Sequence, residues 1–235
     1  WINKCLIDEG YAEQPNWNAL RSARKASWGD PGPKRALENL SLLWKNNDVA
    51  PGFMNTADNQ TVASLLSGQA AMLYSGPWMF NQIKAADPTF EFGFFALPDA
   101  NGKVNLSSMV TPIGWSISAA AAQDPVKLED LTQFLLFFYS SEEYSKYLNT
   151  VNGIPATIES DSIVSTPILQ GTLDLMDDPR TGQSAFMNNF WGENALPPGF
   201  RDWFYRRVQD WINGKTTLEE LTETADREWD KANSG

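Results

Sequence analysis

A helix-rich α/β domain is what these 235 residues predict. Two observations carry the prediction. Apolar residues recur at helical spacing over most of the chain, and the few short apolar runs that read as strands are each separated by a helix or a long connection. The expected architecture is a small, mostly parallel or mixed sheet covered by helices. No internal repeat or low-complexity tract interrupts it.

In chain order, Trp1 already lies inside an apparent helix, without a preceding methionine, as expected for a piece of something longer. "DPGPKRALENLSLLWKNN" has Asp30 as a cap, Pro33 near the first turn, and Leu37, Leu40, Leu43 and Trp44 on one side. "TADNQTVASLLSG" reads as a short helix closed by Gly68. "AAMLY" (70–74) reads as a buried strand, and "PWMFNQIKAA" as a helix with its proline at the start. In "FEFGFFALP", Phe90, Phe92 and Phe94 alternate with Glu91 and Gly93, a strand pattern, and Asn101-Gly102 is a turn signal. "VTPIGWSISAA" is a third strand candidate. Two helices follow, opened by Asp124-Pro125 and by Ser141 with Glu142 and Glu143 in the first turn. "NGIPA" (152–156) looks like a connection. Helices are expected at roughly 162 to 176, 198 to 212 and 216 to 232, the last with Leu218, Leu221, Ala225 and Trp229 on one face. The loop before the second of these, "DDPRTGQSAFMNNFWGENALPPG", is long and aromatic, and such loops are commonly functional.

Composition narrows the chemistry. With 20% charged and 42% hydrophobic residues, the chain has enough apolar material to fold around a core. Its net charge of −11 disfavours nucleic acid and anionic membranes as partners. Histidine is absent, which removes Ser-His and Cys-His nucleophiles and His-ligated zinc. The single cysteine, Cys5, sits among Ile2, Leu6 and Ile7 and reads as a small buried hydrophobe. No stretch approaches the roughly 20 apolar residues that span a membrane. No phosphate-binding glycine loop or calcium loop is present, so no cofactor or metal is expected.

What remains is aromatics and carboxylates. Of ten tryptophans, Trp17, Trp28, Trp78, Trp115 and Trp191 fall in loops or at element ends. Sugars offer flat C–H faces to aromatic rings and hydroxyls to polar neighbours, and "PNWNALR" and "NNFWGEN" combine both. Trp44, Trp211 and Trp229 read as core, whereas Trp78 and Trp191 fit either a core plug or a ligand platform. Glu193 beside Trp191 is the best local carboxylate, but a lone glutamate does not make a glycosidase pair.

"LLSGQAAMLYSGPWMFNQI" resembles the FxxGxAAMxxxGPW signature of extracellular solute-binding proteins of carbohydrate ABC importers, the maltose-binding-protein-like family, with Leu65 where phenylalanine is usual. Three collinear features add to it: Leu97-Pro98-Asp99 after an aromatic strand, "GWSISAAAAQDPVKLEDLTQFLLFFYSSEEYSKYLNTVNGIPA", and "INGKTTLEELTETADREWDKA". The resemblance covers about residues 30 to 235. It implies a helix-rich periplasmic-binding-protein-like (type II) fold, of which this chain holds mostly the carboxyl-terminal lobe. Residues 1–104 and 157–235 would form that lobe. Residues 110–155 would be a returning segment of the amino-terminal lobe, the rest of which is not in these 235 residues. Crossings would fall at Val104 to Pro112 and Ile154 to Glu159.

The resemblance further implies a non-catalytic receptor, extracellular, as a cell-surface lipoprotein or periplasmic. It would capture a sugar or oligosaccharide in an interlobe cleft for a membrane permease. Trp78 would stack on sugar, and Gly76 would let the backbone approach the ligand. Trp191 is the next candidate; Trp115, Trp17, Asn16, Glu193 and Arg201 are further ones. A glycoside-active enzyme, a lectin-like module, and a same-fold receptor for a polyamine or peptide are the alternatives. The apolar segment with Phe134, Leu135, Phe137 and Phe138 is expected to self-associate or stay mobile when its lobe is incomplete.

Overall fold

The computed structural model describes residues 1–107, 115–151, 153–154 and 166–234. Helices α1 (Ile2–Leu6), α2 (Trp17–Ser22) and α3 (Pro31–Lys45) come first, with a π-turn over Ile7–Tyr11 running on from α1. Next are α4 (Thr61–Leu66), α5 (Trp78–Ala86), the strand β1 (Asn105–Ser107), α6 (Ala119–Ala122), α7 (Pro125–Phe138) and α8 (Ser141–Val151). The chain ends with α9 (Pro167–Asp177), β2 (Gly182–Ser184), α10 (Phe200–Ile212) and α11 (Leu218–Ala232).

The helices expected from periodicity form, and their ends follow the local chemistry. Asp124 accepts from the amides of Val126 and Lys127 with Pro125 behind it, which opens α7. Thr217 and Glu220 make a reciprocal capping box at the start of α11. Gly68 closes α4 in the left-handed conformation, φ 73°. One cap differs from expectation. Asp30 holds the N-cap position of α3, but its carboxylate instead accepts from the Ser27 amide at 2.8 Å.

The strands differ more. Among the described residues only β1 and β2 form a ladder, parallel, with Asn105 opposite Gly182 and Ser107 opposite Ser184. The runs at 70–74 and 90–98 are not strands, apart from an isolated bridge of Pro98 to Val104. Burial still alternates from Phe90 to Phe95, so the period-2 pattern is real. What is missing is a hydrogen-bonded neighbour, without which an alternating segment is not a strand. Of the third candidate, 110–114 lies outside the described residues, and Ala119 onward is helical behind a Ser118 cap. The Asn101-Gly102 turn forms as read, with the Asp99 carboxylate accepting from the amides of Asn101 and Lys103.

The chain divides into two compact units: Trp1–Asp58 with Ala96–Pro112 and Asp178–Gly235, and Asn59–Phe95 with Ile113–Asp177. This grouping sets 59–95 beside 113–177, unlike the lobe boundaries the resemblance implies. The crossings expected at 104–112 and 154–159 lie largely outside the described residues.

The first unit has an aromatic core. Trp28 and Trp229 are fully buried, Trp17 is 3% exposed, and Phe186, Phe200 and Phe204 fill between them. Trp17 meets Trp28 edge-on at 4.9 Å, and Phe200 meets Trp229 at 4.7 Å. Buried Arg21 ties α2 to α11 through Asp226 at 2.6 Å and Asp230 at 2.8 Å. Asp226 also accepts from the Ser27 hydroxyl and the Trp28 amide, so one carboxylate fixes the 21–28 turn onto α11. Cys5 packs against this core, and burial pushes its thiol up to about 11, as suits an unreactive hydrophobe.

The second unit has a smaller core of Val62, Met79 and Ile83, with Leu65, Leu66, Leu73, Phe90 and Phe92 against it. None of α7 is buried. Among the described residues no helix is long and apolar enough to cross a membrane.

Candidate functional site

In the first unit the long loop between β2 and α10 displays Trp191. The chain folds back on itself there. The Leu196 amide donates to the Asn189 carbonyl at 2.8 Å, the Ala195 amide donates to Gly192, and Gly192 turns the tip at φ 78°. Leu196 is buried in the core and anchors the loop's far end. Trp191, at the tip, is 61% exposed.

Amides brace this loop from below. The Asn194 side chain donates to the Tyr11 hydroxyl and, at 2.6 Å, to the Pro15 carbonyl, and accepts from the Ala19 amide at 2.9 Å. Buried Asn18 donates to the carbonyls of Asn194 and Phe186. Burial raises the Tyr11 hydroxyl's pKa, and hydrogen bonds with Asn194 and Asn189 act against the rise. Arg201, at the start of α10, lies 4.6 Å over the Phe190 ring and donates to Asn188 Oδ1. Glu193 and Asn16 are exposed.

In the second unit Trp78 is the first residue of α5, with Pro77 at its N-cap, and is 60% exposed. Met79, Phe80 and Ile83 face inward and hold the helix. The space above the Gly76 Cα is filled by the six-membered ring of Trp78, which a Cβ there would strike, so the glycine makes room for that ring. Trp115, 58% exposed, leans edge-on against Phe134 at 5.8 Å and Phe138 at 5.5 Å.

Of the expected site residues, Trp78, Trp115, Trp191, Asn16 and Glu193 are exposed, and Arg201 is partly so. Trp17 is corrected: it is buried between Trp28 and Trp229, with no ring face left for a ligand. The bracing residues Tyr11, Asn18 and Asn194 were not singled out from sequence. The cluster of asparagines around Phe190 and Trp191 was the signal available. Among the described residues no group of three or more carboxylates or thiols is placed to hold a metal ion.

Comparison with solved structures gives the fold. The whole chain superposes on 56% of a chitin oligosaccharide binding protein, with a TM-score of 0.79 at 19% identity. The fold is therefore periplasmic-binding-protein-like. Residues 7–169 match the family model of the bacterial extracellular solute-binding proteins, and the chain belongs to that family. A multiple sugar-binding protein of Streptococcus mutans serotype c is 24% identical over 126 residues, 54% of this chain and 29% of that protein. The chain thus spans about a third of this curated relative and about half of the solved one.

Proposed function

We propose that this chain is part of the substrate-binding component of an ABC importer, and that it captures a sugar or oligosaccharide for a membrane permease. The observation that carries this is Trp191, a large ring left mostly exposed at the tip of a loop that hydrogen bonds hold from several segments. A tryptophan that served only stability would be buried, as Trp17, Trp28 and Trp229 are. Family membership and the sugar-binding names of the two relatives support the same reading.

Trp78 and Trp191 stack on sugar rings. Arg201, Glu193 and Asn16 bond hydroxyls, and Trp115 is a further contact. Gly76 acts through Trp78. The site binds without hydrolysis and works outside the cell, on a periplasmic or lipid-anchored receptor. Residues 110–155 contribute to the amino-terminal lobe of that receptor.

The test is calorimetric titration with a panel of chito-, malto- and other neutral oligosaccharides, with a reducing-end assay on the same mixtures. Saturable binding without new reducing ends is expected. Turnover abolished by Glu193→Gln would overturn the reading in favour of a glycoside-active enzyme.

A further inference from the structure

Trp191 is more than half exposed, so its own packing cannot fix its position. The loop's two internal hydrogen bonds shape the tip but do not attach it to anything. Leu196 anchors the far end and Arg201 holds the Phe190 side; next to the tip, attachment comes from the Asn194 side chain. This residue's single side chain reaches three segments: the end of the π-turn at Tyr11, the loop at Pro15, and the first turns of α2 at Ala19. Its own carbonyl receives the Asn18 side chain at 3.0 Å. Resting on the proposed role of Trp191 as a sugar platform, we propose that Asn194 is the positioning residue of the site: it sets where the Trp191 ring stands without touching ligand.

Side-chain chemistry explains why asparagine is needed. The position asks for two donors, to Tyr11 and Pro15, and one acceptor, for the Ala19 amide. Among side chains of this length only the asparagine amide offers both. Aspartate keeps the acceptor but loses both donors and turns a charge toward the Pro15 carbonyl. Alanine loses all three contacts. Arg201 over Phe190 holds the opposite side of the loop and remains in either variant. The loop should therefore loosen rather than unfold.

The experiment uses the 235-residue chain labelled with 5-fluorotryptophan and read by fluorine NMR. The Trp191 line is identified by its loss in Trp191→Phe. In Asn194→Ala that line should narrow and move toward the position of a free, solvated tryptophan. The lines of buried Trp17, Trp28 and Trp229 should stay in place. Hydrogen exchange at the Leu196 amide should quicken about tenfold or more, with Asn194→Asp intermediate. Titration with chitotetraose should show affinity about tenfold weaker in Asn194→Ala, the cost of ordering the loop again on binding.

An unmoved Trp191 line with unchanged Leu196 exchange in both variants would overturn the proposal. So would equal shifts in the core lines, which would make Asn194 a general stability residue. If the loop loosens, but neither Trp191→Phe nor Asn194→Ala alters binding of any oligosaccharide in the panel, the positioning role stands and the sugar-platform reading falls.

Discussion

At the scale of the residue, Trp78 and Gly76 act as a pair. Trp78 exposes most of its ring, so its removal should cost little stability. A ligand covering part of that ring at about 25 cal/mol per Å² gains on the order of 2 kcal/mol. Trp78→Ala in a binding-competent receptor is thus expected to weaken sugar affinity roughly 30-fold, with Tm almost unchanged. Gly76→Ala should do much the same by a different route, since its Cβ would strike the ring and swing it away. The double variant should then be no worse than Trp78→Ala alone, because the glycine has nothing left to protect. Additive losses in titrations of the three variants would show that Gly76 touches ligand itself. A large fall in Tm with unchanged affinity would make Trp78 a core residue.

The same scale shows how little of a tryptophan's role can be read from its neighbours in sequence. Trp17 in "PNWNALR" and Trp191 in "NNFWGEN" share a polar, asparagine-rich setting. Trp17 is swallowed because it begins a helix that packs on Trp28 and Trp229. Trp191 is displayed because Gly192 turns the chain at the loop tip. Both outcomes depend on contacts with residues far away in the chain, and local composition does not encode these.

At the scale of the element, helices were legible and strands were not. A helix satisfies its own backbone, so periodicity and caps are enough to place α3, α5, α7, α8, α10 and α11. A strand needs a neighbour, and its pattern says nothing about whether one is present. The run at 90–95 keeps its alternation and still has no ladder. Side-chain ties between elements were equally hidden, and the Arg21–Asp226 pair is the clearest. Arg21 is almost wholly buried, and Asp226 is the carboxylate that also holds Ser27 and Trp28. Asp226→Ala leaves the guanidinium with Asp230 and the backbone carbonyl of residue 226, to which it donates at 2.7 Å, and frees the 21–28 turn. It is expected to cost about 3 kcal/mol, the range for removing one partner of a buried ion pair. Urea unfolding checks this, and a midpoint shift equivalent to under ~1 kcal/mol would mean that water or Asp230 replaces the lost contact.

At the scale of the whole molecule, α7 is the element least at rest. A helix apolar on most sides belongs in an interior. Yet Val126 is 70% exposed, Leu136 63%, Phe137 59% and Phe134 45%. These four form a stripe along one half of the helix, interrupted by Asp130 and Gln133, whereas Leu128 and Leu131, 37% exposed each, lie on the other side. Trp115 and the tyrosines Tyr139, Tyr144 and Tyr147 gather around Phe138 and the end of α7, so this end of the unit is pinned while the stripe stays open. The stripe presents roughly 400 Å² of apolar surface, within the range of patches that find partners. Two copies pairing through it would bury about 800 Å², below the ~1,200 Å² of stable specific interfaces. The 235-residue chain is therefore expected to form a weak dimer through α7, visible as a rise in mass by light scattering between tens and hundreds of micromolar. Phe137→Glu, which places a charge in the middle of the stripe at a mostly exposed position, should keep the chain monomeric at every concentration without lowering Tm. A monomeric parent chain whose α7 amides are nonetheless strongly protected from hydrogen exchange would sink this idea, because the helix would then be stable without a second copy.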